Sequence, residues 1–94
     1  MATRVQLDFS GLNLADYDKV CEALNFPSDW PDGLLAHTSA EVDGHLRVAD
    51  IWESGGHFDS FVEGRLRPAL GGALGDRAEQ PQRSDRELYT FYVK

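Results

Sequence analysis

Apolar residues recur at every second position from Thr3 to Phe9, with Val5, Leu7 and Phe9 on one face and Arg4, Gln6 and Asp8 on the other. That period predicts a strand with one buried side. Ser10-Gly11 breaks it. Asn13 then suits a helix N-cap, and Asp16 three residues on favours a helix start. Leu14, Tyr17, Val20, Cys21 and Leu24 follow at helical spacing. The helix should end near Asn25, because Phe26 precedes Pro27 and is biased away from helical geometry. Pro27 to Gly33 is rich in turn residues. Leu34–Val42 reads as a second strand, Asp43-Gly44 as a tight hairpin turn and His45–Glu53 as the return strand.

The period then changes back to helical. Ser54-Gly55-Gly56 opens a helix carrying Phe58, Phe61, Val62, Leu66, Ala69 and Leu70 on one stripe. Pro68 lies inside this pattern, four residues after Gly64, and predicts a kink or break rather than an end, since Leu70 and Leu74 prolong the stripe. Gly75 to Asp85 is polar and aperiodic and reads as a surface loop. Arg86 to Val93 reads as the last strand, with Leu88, Thr90 and Tyr92 on one side and Tyr89, Phe91 and Val93 on the other. The order β-α-β-β-α-β predicts an α+β, ferredoxin-like domain spanning residues 1–94, with a four-stranded antiparallel sheet and two helices on one face. The last strand, apolar on both sides, predicts that a second copy of the chain covers the other face.

Composition narrows the function. The net charge of −7, from nine basic and sixteen acidic residues, argues against nucleic acid and anionic membranes, which need a basic face. No apolar run reaches the roughly 18–20 residues of a spanning helix, and Met1 to Val5 lack a signal-peptide core. Cys21 stands alone, so no intramolecular disulfide forms, and a cytoplasmic protein is expected.

Three charged or titratable residues fall on apolar faces. Arg65, counted at about 100° per residue, lies near the centre of the second helix's stripe, and Arg67 lies opposite. Its guanidinium either snorkels to an edge, pairs with Asp50 or Glu53, or binds an acidic or phenolate ligand group in a cleft. Asp50 shares a strand face with Val48 and Trp52, as a salt-bridge partner, base or ligand anchor. His37, between Ala36 and Thr38, is a hydrogen-bonded strand histidine or a proton shuttle. His37, Asp50 and Arg65 are the candidate catalytic residues. Tyr17, Trp52 and Phe61 are core aromatics or the lining of a ligand pocket. His45 and His57 should be exposed, and Cys21 a buried thiol. No metal-ligand spacing occurs, and Gly71-Gly72 lacks the spacing and lysine of a phosphate loop. No metal or cofactor is therefore expected.

The element order, the strand end Ile51-Trp52-Glu53-Ser54 and the following Phe58 and Phe61 resemble the dimeric α/β-barrel superfamily, and within it the antibiotic-biosynthesis-monooxygenase group. The resemblance implies a homodimer whose subunits each hold a small hydrophobic or aromatic molecule, and a monooxygenase that works without a cofactor. The alternative is a non-catalytic homodimeric interaction or ligand-binding domain. In the superfamily's haem-degrading branch, the tryptophan position falls here on Phe61 and the iron-ligand position near Gly71. No histidine follows His57, so haem degradation is not expected.

Overall fold

The alternation at the N-terminus and the hairpin turn build the sheet. The computed structural model describes residues Met1–Lys94. Strand β1 (Thr3–Phe9) and strand β3 (His45–Trp52) pair antiparallel at its centre. Strand β2 (Leu34–Val42) pairs with β3 across the Asp43-Gly44 turn, where both residues take positive φ, 51° and 82°. That is the backbone a two-residue hairpin needs, and it explains the Asp-Gly pair. Strand β4 (Gln82–Glu87) closes the order β2-β3-β1-β4. The architecture is the expected ferredoxin-like α+β arrangement.

Helix α1 (Leu14–Leu24) begins in a full capping box. Asp16 N–H donates to the Asn13 side chain at 2.9 Å, and Asn13 N–H donates to the Asp16 carboxylate at 3.0 Å. The Arg77 guanidinium also donates to that carboxylate, at 2.7 Å. The Arg77 bond first, and the Asn13 N–H second, hold the Asp16 carboxyl down at about 2. The helix ends at Asn25 in the left-handed conformation, φ 54°. Leu14, expected on the buried stripe, is instead exposed at the first turn.

The second helical region is one continuous run: α2 (Gly55–Phe61), a π turn (Val62–Leu66) and α3 (Arg67–Leu74). Arg67 N–H reaches back five residues to the Val62 carbonyl. The chain thus meets Pro68, which lacks a donor and crowds the turn before it, by widening that turn instead of breaking.

The last strand lies earlier than its hydrophobicity predicts. Gln82–Glu87 is polar, pairs only with β1, and replaces the end of the expected loop. Its inward residues Arg83 and Asp85 bond each other at 2.8 Å, and Arg83 also bonds Asp59 and covers the Phe58 ring. Glu87 is opposite Thr3, the first residue of β1, and the Leu88 N–H to Ala2 carbonyl bond is the final rung. Beyond it no strand remains to pair with, and Tyr89, Tyr92 and Val93 stand exposed. The expected strand Arg86–Val93 with two apolar faces is therefore not formed.

Val5, Leu7, Phe9, Leu46, Val48 and Trp52 point from the sheet toward the helices and meet Phe58, Leu70 and Leu74. The opposite sheet face is mixed. Gln6 donates to Asp8, Arg47 donates to Asp8 at 2.7 Å, and Ala49 and Ile51 are half-buried. No helix is long and apolar enough to cross a membrane.

Candidate functional site

A two-residue hairpin fixes the register of its strands, and this one sets His37 directly opposite Asp50. Their side chains meet on the helix-facing side: His37 Nδ1 is 2.7 Å from Asp50 Oδ1. Asp50 is 5 % exposed. Its other oxygen accepts the Trp52 indole N–H at 3.4 Å. From α1, the Tyr17 hydroxyl comes within 2.7 Å of His37 Nε2. A carboxylate only accepts, so Nδ1 carries a proton and donates to Asp50; in the neutral imidazole the Nε2 lone pair then accepts the Tyr17 O–H. Three residues from three elements form one directed chain, Tyr17 to His37 to Asp50. No buried side-chain polar atom lacks a partner.

This chain forms the polar end of an otherwise apolar cavity between sheet and helices. Tyr17, His37, Asp50, Trp52 and Phe61 line it, with Cys21, Phe26 and Leu66 among the others. Burial pushes the Tyr17 hydroxyl up to about 12, and the Cys21 thiol is raised by the same cause. Trp52 packs against Phe58 and Phe61, each ring centroid 5.4 Å away, and those two rings lie 6.4 Å from each other. The free space is about 70 Å³, less than half the ~150 Å³ void that holds benzene in an engineered protein core. His37 keeps 17 % of its side chain exposed against 7 % for Asp50, so the middle of the chain is the part more open to solvent.

Arg65 does not join this group. Its guanidinium donates to the Leu24 carbonyl at 3.1 Å and the Asp29 carbonyl at 2.9 Å, and it pairs with the Asp29 carboxylate at 3.2 Å. It lies 5.5 Å over the outer side of Phe61 and forms no part of the cavity wall. The helical count put it over the core; the flexible stem carries the charge to the rim instead, where carbonyls satisfy it. Neither Asp50 nor Glu53 is its partner.

The sequence reading missed Phe26, whose ring packs edge-on against His37 at 4.8 Å. The Phe26-Pro27 pair marked only a helix end, and nothing local says where the ring points. The direct His37–Asp50 link was legible: five residues back from Val42 and five on from His45 are opposite positions. The remaining histidines serve locally. His57 bonds the Ser54 hydroxyl at 2.7 Å beside the helix start, and His45 lies 3.5 Å from Asp8. No three His, Cys, Asp or Glu side chains converge to hold a metal ion.

The same architecture occurs in solved structures. A protein from Chloroflexus aurantiacus assigned as an antibiotic biosynthesis monooxygenase superposes with a TM-score of 0.68 at 10 % identity, over 99 % of this chain and 98 % of that one. The chain has the fold of the antibiotic-biosynthesis-monooxygenase group. The monooxygenase ActVA-Orf6 of Streptomyces coelicolor, in complex with nanaomycin D, matches with a TM-score of 0.57 at 16 % identity, over 99 % and 90 % of the two chains. The haem degrader MhuD of Mycobacterium tuberculosis, with two haems bound, matches with a TM-score of 0.56 at 14 % identity, over 99 % and 100 %. At these identities the likeness is one of fold. No family model and no curated protein matches the sequence.

The residues present do not fit a haem. The free space of about 70 Å³ would have to grow about twofold to admit a single ring and many-fold to admit a porphyrin. His37 has both ring nitrogens engaged, and the helical run from Gly55 to Leu74 carries only His57, which is turned to Ser54 and Glu53.

Proposed function

We propose that this chain binds a small hydrophobic or aromatic hydroxy compound in the cavity and oxidises it with dioxygen, without a cofactor. The observation that carries this reading is the directed chain from Tyr17 through His37 to Asp50, ending in an apolar cavity. A substrate hydroxyl there donates to the Tyr17 oxygen while the Tyr17 proton moves to His37 Nε2. The resulting imidazolium faces the Asp50 carboxylate, and His37 releases its proton to solvent. Burial disfavours tyrosinate, so the two transfers occur together and Tyr17 stays neutral. The substrate anion left in an apolar, cation-free space is poorly solvated and gives up electrons readily. For a phenol, bond formation between the ring carbon and oxygen yields a hydroperoxide. Loss of the carbon-bound proton with O–O cleavage then gives a quinone and water. One oxygen atom enters the product and the other leaves as water, a four-electron oxidation of the ring matching the four-electron reduction of dioxygen.

Oxygen-electrode measurements over a panel of phenols and quinols test this. One dioxygen should be consumed per quinone formed, and Tyr17→Phe should lower the rate by about 10²–10⁴-fold, the usual weight of a general acid–base group. No uptake with any compound would move the balance to the second reading, a non-catalytic homodimeric interaction domain.

That second reading has its own support in the run Tyr89-Thr90-Phe91-Tyr92-Val93, where Tyr89, Tyr92 and Val93 are exposed and Phe91 is half-buried. Apolar side chains contiguous on a surface mark an interaction site, and the sheet face away from the helices carries half-buried Ala49 and Ile51 that a second copy would cover. Homodimerisation is thus part of both readings. Light scattering should give about twice the chain mass of 10.5 kDa at micromolar concentration, and a chain ending at Glu87 should give the single mass. A stable monomer of the full chain would remove the dimer from both.

A further inference from the structure

We infer that the loop Asn25–Gly33 selects what reaches the Tyr17–His37–Asp50 chain, with Phe26 as the specificity-determining residue and Arg65 as the positioning residue that holds it. The substrate class that follows is a single-ring, uncharged compound with one hydroxyl or carbonyl head. This rests on the cavity being a small-molecule site.

Among residues Asn25 to Trp30 only Phe26 is half-buried; the others are exposed. Its ring therefore separates the cavity from solvent, on the side where His37 lies. Trp30 stacks on Phe26 at 5.4 Å, and its own indole N–H is fixed on the Leu34 carbonyl at 2.7 Å. Arg65 clamps the loop on both sides of Phe26, at the carbonyls of Leu24 and Asp29. The same guanidinium lies over Phe61, which forms another wall of the cavity. One cation thus ties together the two elements that carry the facing aromatic walls.

Size and charge then set the ligand. The free space is too small for any ring while Phe26 stays in place. Turning that one side chain outward frees the room of one ring, not of two fused rings. Charge selects separately from size. Asp50 supplies the charged group on the wall, Arg65 faces the loop, and Arg83 is held by Asp59 and Asp85. An anionic ligand would enter with no cation to receive it.

Titrations with phenol, 1-naphthol and 4-hydroxybenzoate, followed by calorimetry, test both halves. The unaltered protein should bind phenol and hold naphthol at least about tenfold more weakly, the scale at which a filled pocket discriminates by size. Phe26→Ala, or Phe26→Leu should the alanine variant not fold, should strengthen binding of both compounds and raise the naphthol-to-phenol affinity ratio by about tenfold. Arg65→Met should shift the naphthol-to-phenol ratio in the same direction, Arg65→Lys should restore it in part, and Arg67→Met should match the unaltered protein. An unchanged ratio in both Phe26 variants would overturn the role of the loop while leaving the site intact. Tighter binding of 4-hydroxybenzoate than of phenol would overturn the uncharged class. Absence of binding by all three compounds to every variant would overturn the cavity as a small-molecule site, and this inference with it.

Discussion

Asp50→Asn is expected to abolish turnover while leaving the fold nearly as stable as before. Asparagine keeps the shape of Asp50, and its amide has one arrangement that satisfies every neighbour. The oxygen accepts the Trp52 indole N–H, and the NH₂ donates to His37 Nδ1. The imidazole proton must then move to Nε2, which becomes a donor toward the Tyr17 oxygen. The direction of the chain is reversed. Tyr17 no longer has a base behind it, and a substrate hydroxyl meets an oxygen that cannot pass its proton on. Activity should fall by about 10²–10⁴-fold, as expected when a general base is lost. Nitrogen NMR of the His37 ring should show the tautomer change directly. Asp50→Ala is the contrasting variant. It leaves the His37 and Trp52 donors without an acceptor, at about 1–3 kcal/mol for each buried group. Unchanged activity in Asp50→Asn, with the tautomer switched, would remove proton transfer through His37 from the mechanism.

Signals confined to neighbouring residues were legible in the sequence. Asn13 and Asp16 marked the start of α1 and close the capping box there. Asp43-Gly44 marked the hairpin, and with it the positions opposite each other on β2 and β3. The alternation of Val5, Leu7 and Phe9 named the buried face of β1. What failed depended on distant partners. Strand β4 is polar because it sits at the sheet edge, and Arg83 and Asp85 neutralise each other on its inner side; no local pattern announces such a strand. The aromatic run after it has the alternation of a strand but nothing beside it, since β1 begins at Thr3. Arg65 was placed by a count that assumes an unbroken α-helix, whereas it lies within the π turn before Pro68. Its destination, two carbonyls on another segment, is set by how α1 ends. Tyr17 belongs with His37 through the packing of α1 on the sheet, which residue spacing within α1 does not encode.

Trp52→Ala is expected to cost the fold about 3–5 kcal/mol, the range for truncating a large buried aromatic. Trp52 is 1 % exposed and is the largest fully buried side chain. It touches Phe58 and Phe61 on the helix side and gives its indole N–H to Asp50. The hole it leaves cannot close easily, because β3 is held between β1 and β2 on both edges. A domain of this size has a total stability of about 5–15 kcal/mol, so the variant should unfold at a much lower urea concentration. Trp52→Phe separates the two roles of the residue. It retains most of the packing and removes only the indole donor to Asp50, so its loss should be markedly smaller. Asp50 would still be held by His37, and the phenylalanine variant should keep a folded site with altered turnover. Urea midpoints of the two variants against the unaltered chain provide the measurement. An alanine variant as stable as the original would show that the helices collapse onto the sheet without Trp52, and that the cavity beside it is wider and softer than its 70 Å³.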